Sequence, residues 1–143
     1  MPVELKIDKR SVDETKKFYS KLQGRVTHGS PFFQRAAMKM FRQVVVNFQK
    51  EQGPDGARWK PLKRPRPRGG TKILQDRGIL RASVLFRGYK DNAQVRTNLR
   101  YAATHQHGDK RRNIPARPYM WMPDALRSEL TAEYGRWVAE GRI

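Results

Sequence analysis

The clearest periodic pattern in the chain lies between residues 31 and 52. Apolar side chains recur there every three or four positions, at Phe33, Ala37, Met40, Val44 and Phe48. This spacing predicts an amphipathic helix over about 31–52 with a broad apolar face. Ser30 followed by Pro31 is a typical helix start, and Gly53-Pro54 ends the pattern.

Weaker patterns predict two further helices. A charged helix is expected from Ser11 to Gly24, where Ser11 is a suitable N-cap. A C-terminal helix is expected over about 123–139. Its buried stripe is formed by Leu126, Leu130, Tyr134, Trp137 and Val138.

Short apolar segments predict a small sheet. Residues 83–88 and 93–99 alternate around a polar turn, which predicts a hairpin, and the apolar run 119–122 predicts a third strand. Residues 3–7 also alternate and predict a short strand or an extended arm. The element order predicts one α+β domain over residues 1–143, in which a small antiparallel sheet is flanked by the long helix and the C-terminal helix.

Residues 53–72 interrupt these patterns. They contain four Pro, four Gly, seven Lys or Arg and one acid. Such a composition predicts a long basic loop that is disordered or is ordered by a partner. We expect Trp59 to anchor the start of this loop in the core or an interface. The alternative is a base-stacking platform, because basic residues surround it.

The composition narrows the classes of function. The chain has 31 Lys+Arg, 13 Asp+Glu, a formal charge of +18 and no Cys. The lack of Cys excludes a disulfide scaffold, a Cys-ligated zinc site and a thiol nucleophile. Apolar runs are too short for a membrane span, and the N-terminus Met1-Pro2-Val3-Glu4-Leu5 lacks a signal-peptide core, so we expect a protein made in the cytoplasm. The charge predicts a polyanionic or acidic partner.

The sequence offers little for catalysis. It contains no P-loop, nucleophile elbow or dinucleotide fingerprint, and its acids are too scattered for a two-metal site. On a strand, His105 and His107 would point the same way and could bind a metal with a third ligand, but a polar strand end before Gly108 is the preferred interpretation. We predict no enzymatic activity, cofactor, metal or small-molecule substrate.

Four unusual motifs follow one another along residues 31 to about 138. They are Phe48…Glu51…Gly53-Pro54-Asp55-Gly56…Trp59-Lys60-Pro61-Leu62, Ile73-Leu74…Gly78-Ile79-Leu80…Ser83, Tyr101-Ala102…His105-Gln106-His107-Gly108 and Ile114-Pro115-Ala116-Arg117-Pro118-Tyr119. In this order they resemble the phage virion morphogenesis or tail completion family of Mu-like or P2-like tailed phages and prophages. Arg77 and Tyr119 are small departures from the family pattern.

The resemblance implies a structural virion protein, similar to head–tail connector and tail-terminator proteins. It implies a homo-oligomeric ring at the phage neck or the top of the tail, needed for tail completion and head–tail joining. The implied partners are further copies of the chain and neighbouring neck, connector and tail proteins, with genome DNA as a secondary partner and no membrane. The family brings no catalytic residues.

The candidate interface comprises the two basic loops and the segment after them. Its residues are Trp59, Lys63, Arg64, Arg66, Arg68, Arg111, Arg112, Arg117, Tyr119 and Trp121. The structural motif residues are Gly53, Pro54, Asp55, Gly56, Gly78, Tyr101, His105, Gly108, Pro115 and Pro118. We expect Gly78 and Gly108 to need positive φ or close packing, and Arg117 to pair with an acidic group within the subunit or across the ring. The strand with Tyr119 and Trp121 would be buried on both faces or packed on a neighbouring subunit.

Two alternatives remain open at this point. The first is a nucleic-acid-binding protein that uses loops 58–72 and 110–117 for phosphate contacts. The second is a metal-dependent nuclease built on His105 and His107, which the shortage of carboxylates disfavours. Six copies would carry about +108, whereas duplex DNA inside a ring of such domains presents about 20–25 charges. Most of the positive charge is therefore predicted to dock acidic protein neighbours.

Overall fold

The computed structural model describes residues 8–64, 66 and 70–142. In chain order the elements are α1 (Lys9–Thr27), α2 (Ser30–Lys50), α3 (Ile79–Ala82), β1 (Leu85–Gly88), β2 (Ala93–Arg96), α4 (Ala102–His107) and α5 (Asp124–Glu140). Helices combined with a two-stranded antiparallel sheet confirm the predicted α+β class. The strand or arm predicted at residues 3–7 lies outside the described residues.

Helix α2 is the centre of the fold. Pro31 lies in its first turn, and Glu51 ends it in the left-handed region at φ 52°. The Glu51 N–H donates to the Asn47 carbonyl at 2.9 Å, which closes the last turn. The predicted apolar stripe is buried along both halves of the helix. The prediction of a helix at 31–52 is therefore confirmed to within two residues at each end.

Strands β1 and β2 form the predicted hairpin, although both are shorter than expected. Phe86 lies opposite Val95, and the Phe86 ring is 5.0 Å from that of Phe41 on α2. Gly88 at the end of β1 lies against the α2 backbone. A Cβ at this position would overlap backbone atoms of Gln34. The hairpin is thus packed face-on against the helix.

Two clusters of buried side chains divide α2 between them. The larger comprises Val44, Phe48, Trp59, Ile73, Leu80, Val84, Ala102 and Tyr119. In the smaller, Phe32 and Ala36 pack against Trp137 of α5. Lys39 adds a polar link between the same two helices, because its ammonium group binds Glu129 at 2.6 Å and also Glu133. The C-terminal helix is therefore fastened to the first half of α2.

Helix α1 contributes no buried residue. The Asp8 carboxylate, rather than the predicted Ser11 side chain, caps it by accepting the Ser11 N–H at 2.7 Å, and the helix continues past Gly24 to Thr27. Arg25 Nη1 donates to two carbonyls at the end of α5, both at 2.7 Å. Thus α1 is tied to the domain near its C-terminal end. None of the helices in the described ranges is long and apolar enough to cross a bilayer.

Candidate functional site

Four of the predicted interface residues lie on or against segment 115–121, namely Trp59, Arg117, Tyr119 and Trp121. The Arg117 N–H donates to the His105 carbonyl at 2.8 Å, and the Trp59 indole N–H donates to the Pro118 carbonyl at 3.0 Å. The segment therefore lies between α4 and the loop that follows α2. Within the described part of the chain it pairs with no strand, so the prediction of a strand at 119–122 is wrong.

Two side-chain amides take the place of sheet pairing along this segment. Asn47 Nδ2 donates to the carbonyls of Tyr119 at 2.9 Å and Trp121 at 3.0 Å. Gln106 Oε1 accepts the N–H groups of Tyr119 and Met120, both at 3.0 Å, and its Nε2 donates to the Met120 carbonyl at 3.1 Å. We refer to Asn47 and Gln106 as the amide clamp. Because the clamp satisfies these backbone groups, the segment needs no sheet ladder.

The sequence analysis did not single out Asn47. This residue is 1% exposed and interrupts the buried face of α2 between Val44 and Phe48. A lone amide on an apolar helix face must find hydrogen-bond partners if it is buried. That requirement is the signal that could have identified it. Gln106 lies within the third motif, but the motif does not indicate what its amide binds.

Tyr119 and Trp59 are part of the larger core. Tyr119 is 1% exposed, its ring lies 5.1 Å from that of Phe48, and burial raises the pKa of its hydroxyl. Trp59 is 5% exposed and packs edge-on against Phe48 at 6.0 Å. Trp59 is thus an anchor for its loop and has no open face for a base. Trp121 is half-buried and donates its indole N–H to the Gln52 carbonyl at 3.2 Å.

Arg117 fastens two parts of the chain together. Its Nε donates to the Lys60 carbonyl at 2.9 Å and its Nη2 to the Pro61 carbonyl at 3.0 Å. Only 6% of the residue is exposed, and burial, aided by the nearby charge of Arg66, lowers the pKa of the guanidinium. Among the described residues Arg117 forms no ion pair. The expected acidic partner is therefore not found within this part of the chain.

The basic side chains of the two loops lie around this centre. Lys63 Nζ donates to the Asn113 carbonyl at 2.8 Å and so joins the loops. Arg112 Nε binds Asp109 at 2.7 Å, and Arg66 Nε lies 3.9 Å from an Asp76 carboxylate oxygen. Two further candidate side chains, Arg64 and Arg111, are exposed. Arg68 lies outside the described residues.

The predicted turn residues have the expected backbone. Gly53, Pro54, Asp55 and Gly56 form a tight turn, in which the Asp55 carboxylate accepts the Ala57 N–H at 3.1 Å. Gly78 and Gly108 have φ 70° and 78°, which confirms that both need positive φ. A Cβ at Gly108 would lie 2.8 Å from the Ala116 nitrogen, so this glycine also permits the approach of the segment that begins at Pro115.

The two histidines do not form a pair. They lie on α4, where residues two apart are rotated by about 200° about the helix axis. His107 is exposed, whereas His105 is half-buried with its ring 5.8 Å from that of Tyr101. Burial, followed by the charges of Arg117 and Arg112, lowers the pKa of His105. Within the described ranges no three His, Asp or Glu residues are placed to hold a metal ion.

These features define a small basic α+β domain in which buried polar side chains and basic loops lie around segment 115–121. The chain belongs to the phage virion morphogenesis family, whose model matches residues 11–138. Membership confirms the resemblance seen in the four motifs. It indicates a structural or assembly role and a virion-associated protein. No curated protein and no solved structure gives a significant match to the chain.

Proposed function

We propose that the protein forms a homo-oligomeric ring at the phage neck or the top of the tail, where it completes the tail and joins it to the head. Family membership supports the assembly role. The observation that carries the ring is α1, a helix of 19 residues with none buried. An isolated helix of this size is marginally stable in water and normally depends on tertiary packing. We infer that a neighbouring copy supplies that packing.

The exposed apolar side chains of α1 suit packing against another helix. Val12, Tyr19 and Val26 recur every seven residues, and Leu22 lies between the last two, as in the seam of a coiled coil. Phe18 and Tyr19 are 54% and 64% exposed. Aromatic groups of this size stabilise protein interfaces strongly when they become buried.

Charge favours α5 of the neighbouring copy as the surface that α1 contacts, outside the parts that Arg25 and Lys39 already occupy within each copy. Helix α1 contains six basic and two acidic residues, whereas α5 contains four acidic and two basic residues. Two α1 helices would therefore repel each other, whereas α1 and α5 would attract each other. A contact between two different surfaces of identical copies is heterologous, and such contacts generate rings when the rotation between copies closes.

Light scattering coupled to size-exclusion chromatography tests this contact. We expect a multimer for the natural chain and a 16.7 kDa monomer for Phe18→Ser with Tyr19→Ser. Losing the burial of two aromatic side chains should weaken association by about 100-fold or more. Leu85→Ser is the matched control, because Leu85 is 50% exposed like the α1 aromatics but belongs to the hairpin. A natural chain that stays monomeric at about 100 μM would contradict the ring.

The role in head–tail joining requires a test in the phage. Deletion of the gene should leave separate heads and tails in electron micrographs, and infectivity should be lost. The natural chain and Leu85→Ser should restore joining, whereas the double α1 variant should not. Normal infectious particles from the deletion phage would refute the proposed role.

Nucleic-acid binding is the second candidate function. It is favoured by the bond between Lys63 and Asn113, which brings Lys63 of loop 58–72 next to loop 110–117. Basic side chains on adjoining loops can contact successive phosphates, and binding would then weaken steeply with salt. Fluorescence anisotropy with a labelled duplex should show this dependence, and Arg64→Ala with Arg111→Ala should reduce it. Salt-independent binding, or none, would remove this candidate.

A further inference from the structure

A cavity of about 290 Å³ lies beside the Arg117 side chain, between Leu62 and Arg66 on one side and the turn before α3 and α4 on the other. Three guanidinium groups line it, from Arg66, Arg77 and Arg117, together with one carboxylate, Asp76. We propose that this cavity is a binding site for a carboxylate side chain of a neighbouring protein in the phage particle. The choice of a virion protein as the source rests on the proposed function, whereas carboxylate binding itself does not.

The charge of Arg117 is the first observation that supports this site. More than nine-tenths of the residue is buried, and its described hydrogen bonds go to two backbone carbonyls. A guanidinium has five N–H donors in a fork that matches a carboxylate, and two of these donors are used here. Burying a cation without a counter-charge is costly. An anion entering the cavity would remove that cost.

The remaining charges in the cavity do not balance Arg117. The one acid, Asp76, has a side chain that is 60% exposed, and its carboxylate lies on the Arg66 side at 3.9 Å. Arg77 is exposed at the edge of the cavity and has no hydrogen bond or ion pair with the other described residues. The cavity is therefore net positive, with one guanidinium deep inside and one at its edge.

His105 provides a second, independent observation. Its Nδ1 is buried and has no hydrogen-bond partner among the described residues. Such an atom is a rare exception in folded proteins and calls for a partner. Burial lowers the pKa of His105, and the positive charges of Arg117 on segment 115–121 and Arg112 on the loop after α4 lower it further. The Tyr101 ring, at the start of α4, packs against the imidazole. His105 lines the same cavity as Arg117, so a carboxylate bound there would lie beside both residues.

The shape of the cavity favours a protein carboxylate over a DNA phosphate. Arg117 is 6% exposed, so the backbone of a duplex cannot reach its guanidinium. A glutamate side chain is narrow, and Leu62, Leu74 and Leu80 would line its methylene stem. The site thus offers apolar walls and a charged end, as specific ligand sites usually do.

Thermal unfolding of the full chain with small probes tests the proposal. The probes are the blocked tripeptide acetyl-Gly-Glu-Gly-amide, its uncharged Gln analogue and inorganic phosphate, all at one ionic strength. At ten times its Kd, the Glu peptide should raise Tm by about 3–6 °C, and the Gln analogue should not. Arg77→Glu places a competing carboxylate at the edge and should abolish the rise. Arg42→Glu makes the same charge change at an exposed position of α2, and the Glu peptide should still raise the Tm of this variant.

Each outcome decides the proposal. A rise with the Glu peptide that Arg77→Glu removes and Arg42→Glu preserves supports it. Stabilisation by phosphate alone would overturn the assignment to a protein carboxylate, and equal effects in both variants would show nonspecific charge binding and overturn the site. No rise with any probe would also overturn it. Light scattering on the same samples separates this result from the ring, because a monomer that binds the Glu peptide contradicts the ring alone.

Discussion

Replacing Asn47 by Ala tests whether the amide clamp holds segment 115–121 in place. The substitution removes the donor to the Tyr119 and Trp121 carbonyls and the acceptor for Gln43 Nε2, which lies at 2.8 Å. It also leaves a space beside Phe48, in a region where neighbouring side chains are fully buried. Both effects act on the larger core.

The expected loss follows from these contacts. Each hydrogen bond contributes about 1 kcal/mol net, and a buried carbonyl left without a donor costs about 1–3 kcal/mol. We therefore expect Asn47→Ala to lower the free energy of unfolding by about 2–4 kcal/mol, a large share of a typical total of about 5–15 kcal/mol. Asn47→Leu should cost nearly as much, because it fills the space and still orphans both carbonyls.

Urea unfolding followed by tryptophan fluorescence at one protein concentration measures these losses. With a slope of about 2 kcal/mol/M, the midpoint for Asn47→Ala should fall by about 1–2 M. Gln43→Ala is the matched control, since it removes only the third bond of Asn47 and should cost less than about 1 kcal/mol. If Asn47→Leu is as stable as the natural chain, the clamp does not stabilise the segment and the reasoning is wrong.

Two further predictions concern backbone packing and pH. Gly88→Ala should destabilise the fold by about 3 kcal/mol, because its Cβ overlaps the α2 backbone, whereas Gly135→Ala, which meets no atom within 4 Å, should be neutral or stabilising; equal urea midpoints for the two variants would contradict this. For His105 the folded pKa is lowered, so its stabilising contribution is present above about pH 6.5 and is lost as pH falls through the folded value. His105→Gln should therefore lose less stability than the natural chain between pH 7.5 and 5.5, and parallel pH profiles from urea unfolding would disprove the assignment.

The spacing of apolar residues predicted those helices and strands that bury only one face. The α2 stripe and the alternation of Phe86 and Val95 reflect a core on one face, so spacing alone indicated a helix and a hairpin. Segment 119–122 is a short apolar run of the kind that predicts a buried strand, but its partners are two side-chain amides. One of them, Asn47, is 72 residues distant from the carbonyl it binds, and no local pattern reveals such a pairing.

The sequence predicted which residues belong to the candidate site, but not how their side chains are arranged. The motifs identified Trp59, Arg117 and Tyr119, and all three meet at one place. The burial of Arg117 could not be predicted, because a basic side chain is normally expected at the surface. The direction in which the His105 side chain points depends on whether residues 101–105 form a helix or a strand. The sequence pattern of so short a segment does not distinguish the two.

The amide clamp also has a consequence for the order of folding. Helix α2 and the hairpin pack on each other within the first two-thirds of the chain. The larger core, by contrast, closes only when Tyr119 reaches α2 from 72 residues away. Closing so long a loop slows folding, because its entropy is lost before the contact forms. Until then, chains expose the apolar face around Phe48. The charge of +18 gives these incomplete chains mutual repulsion, which protects them from aggregation while the last segment docks.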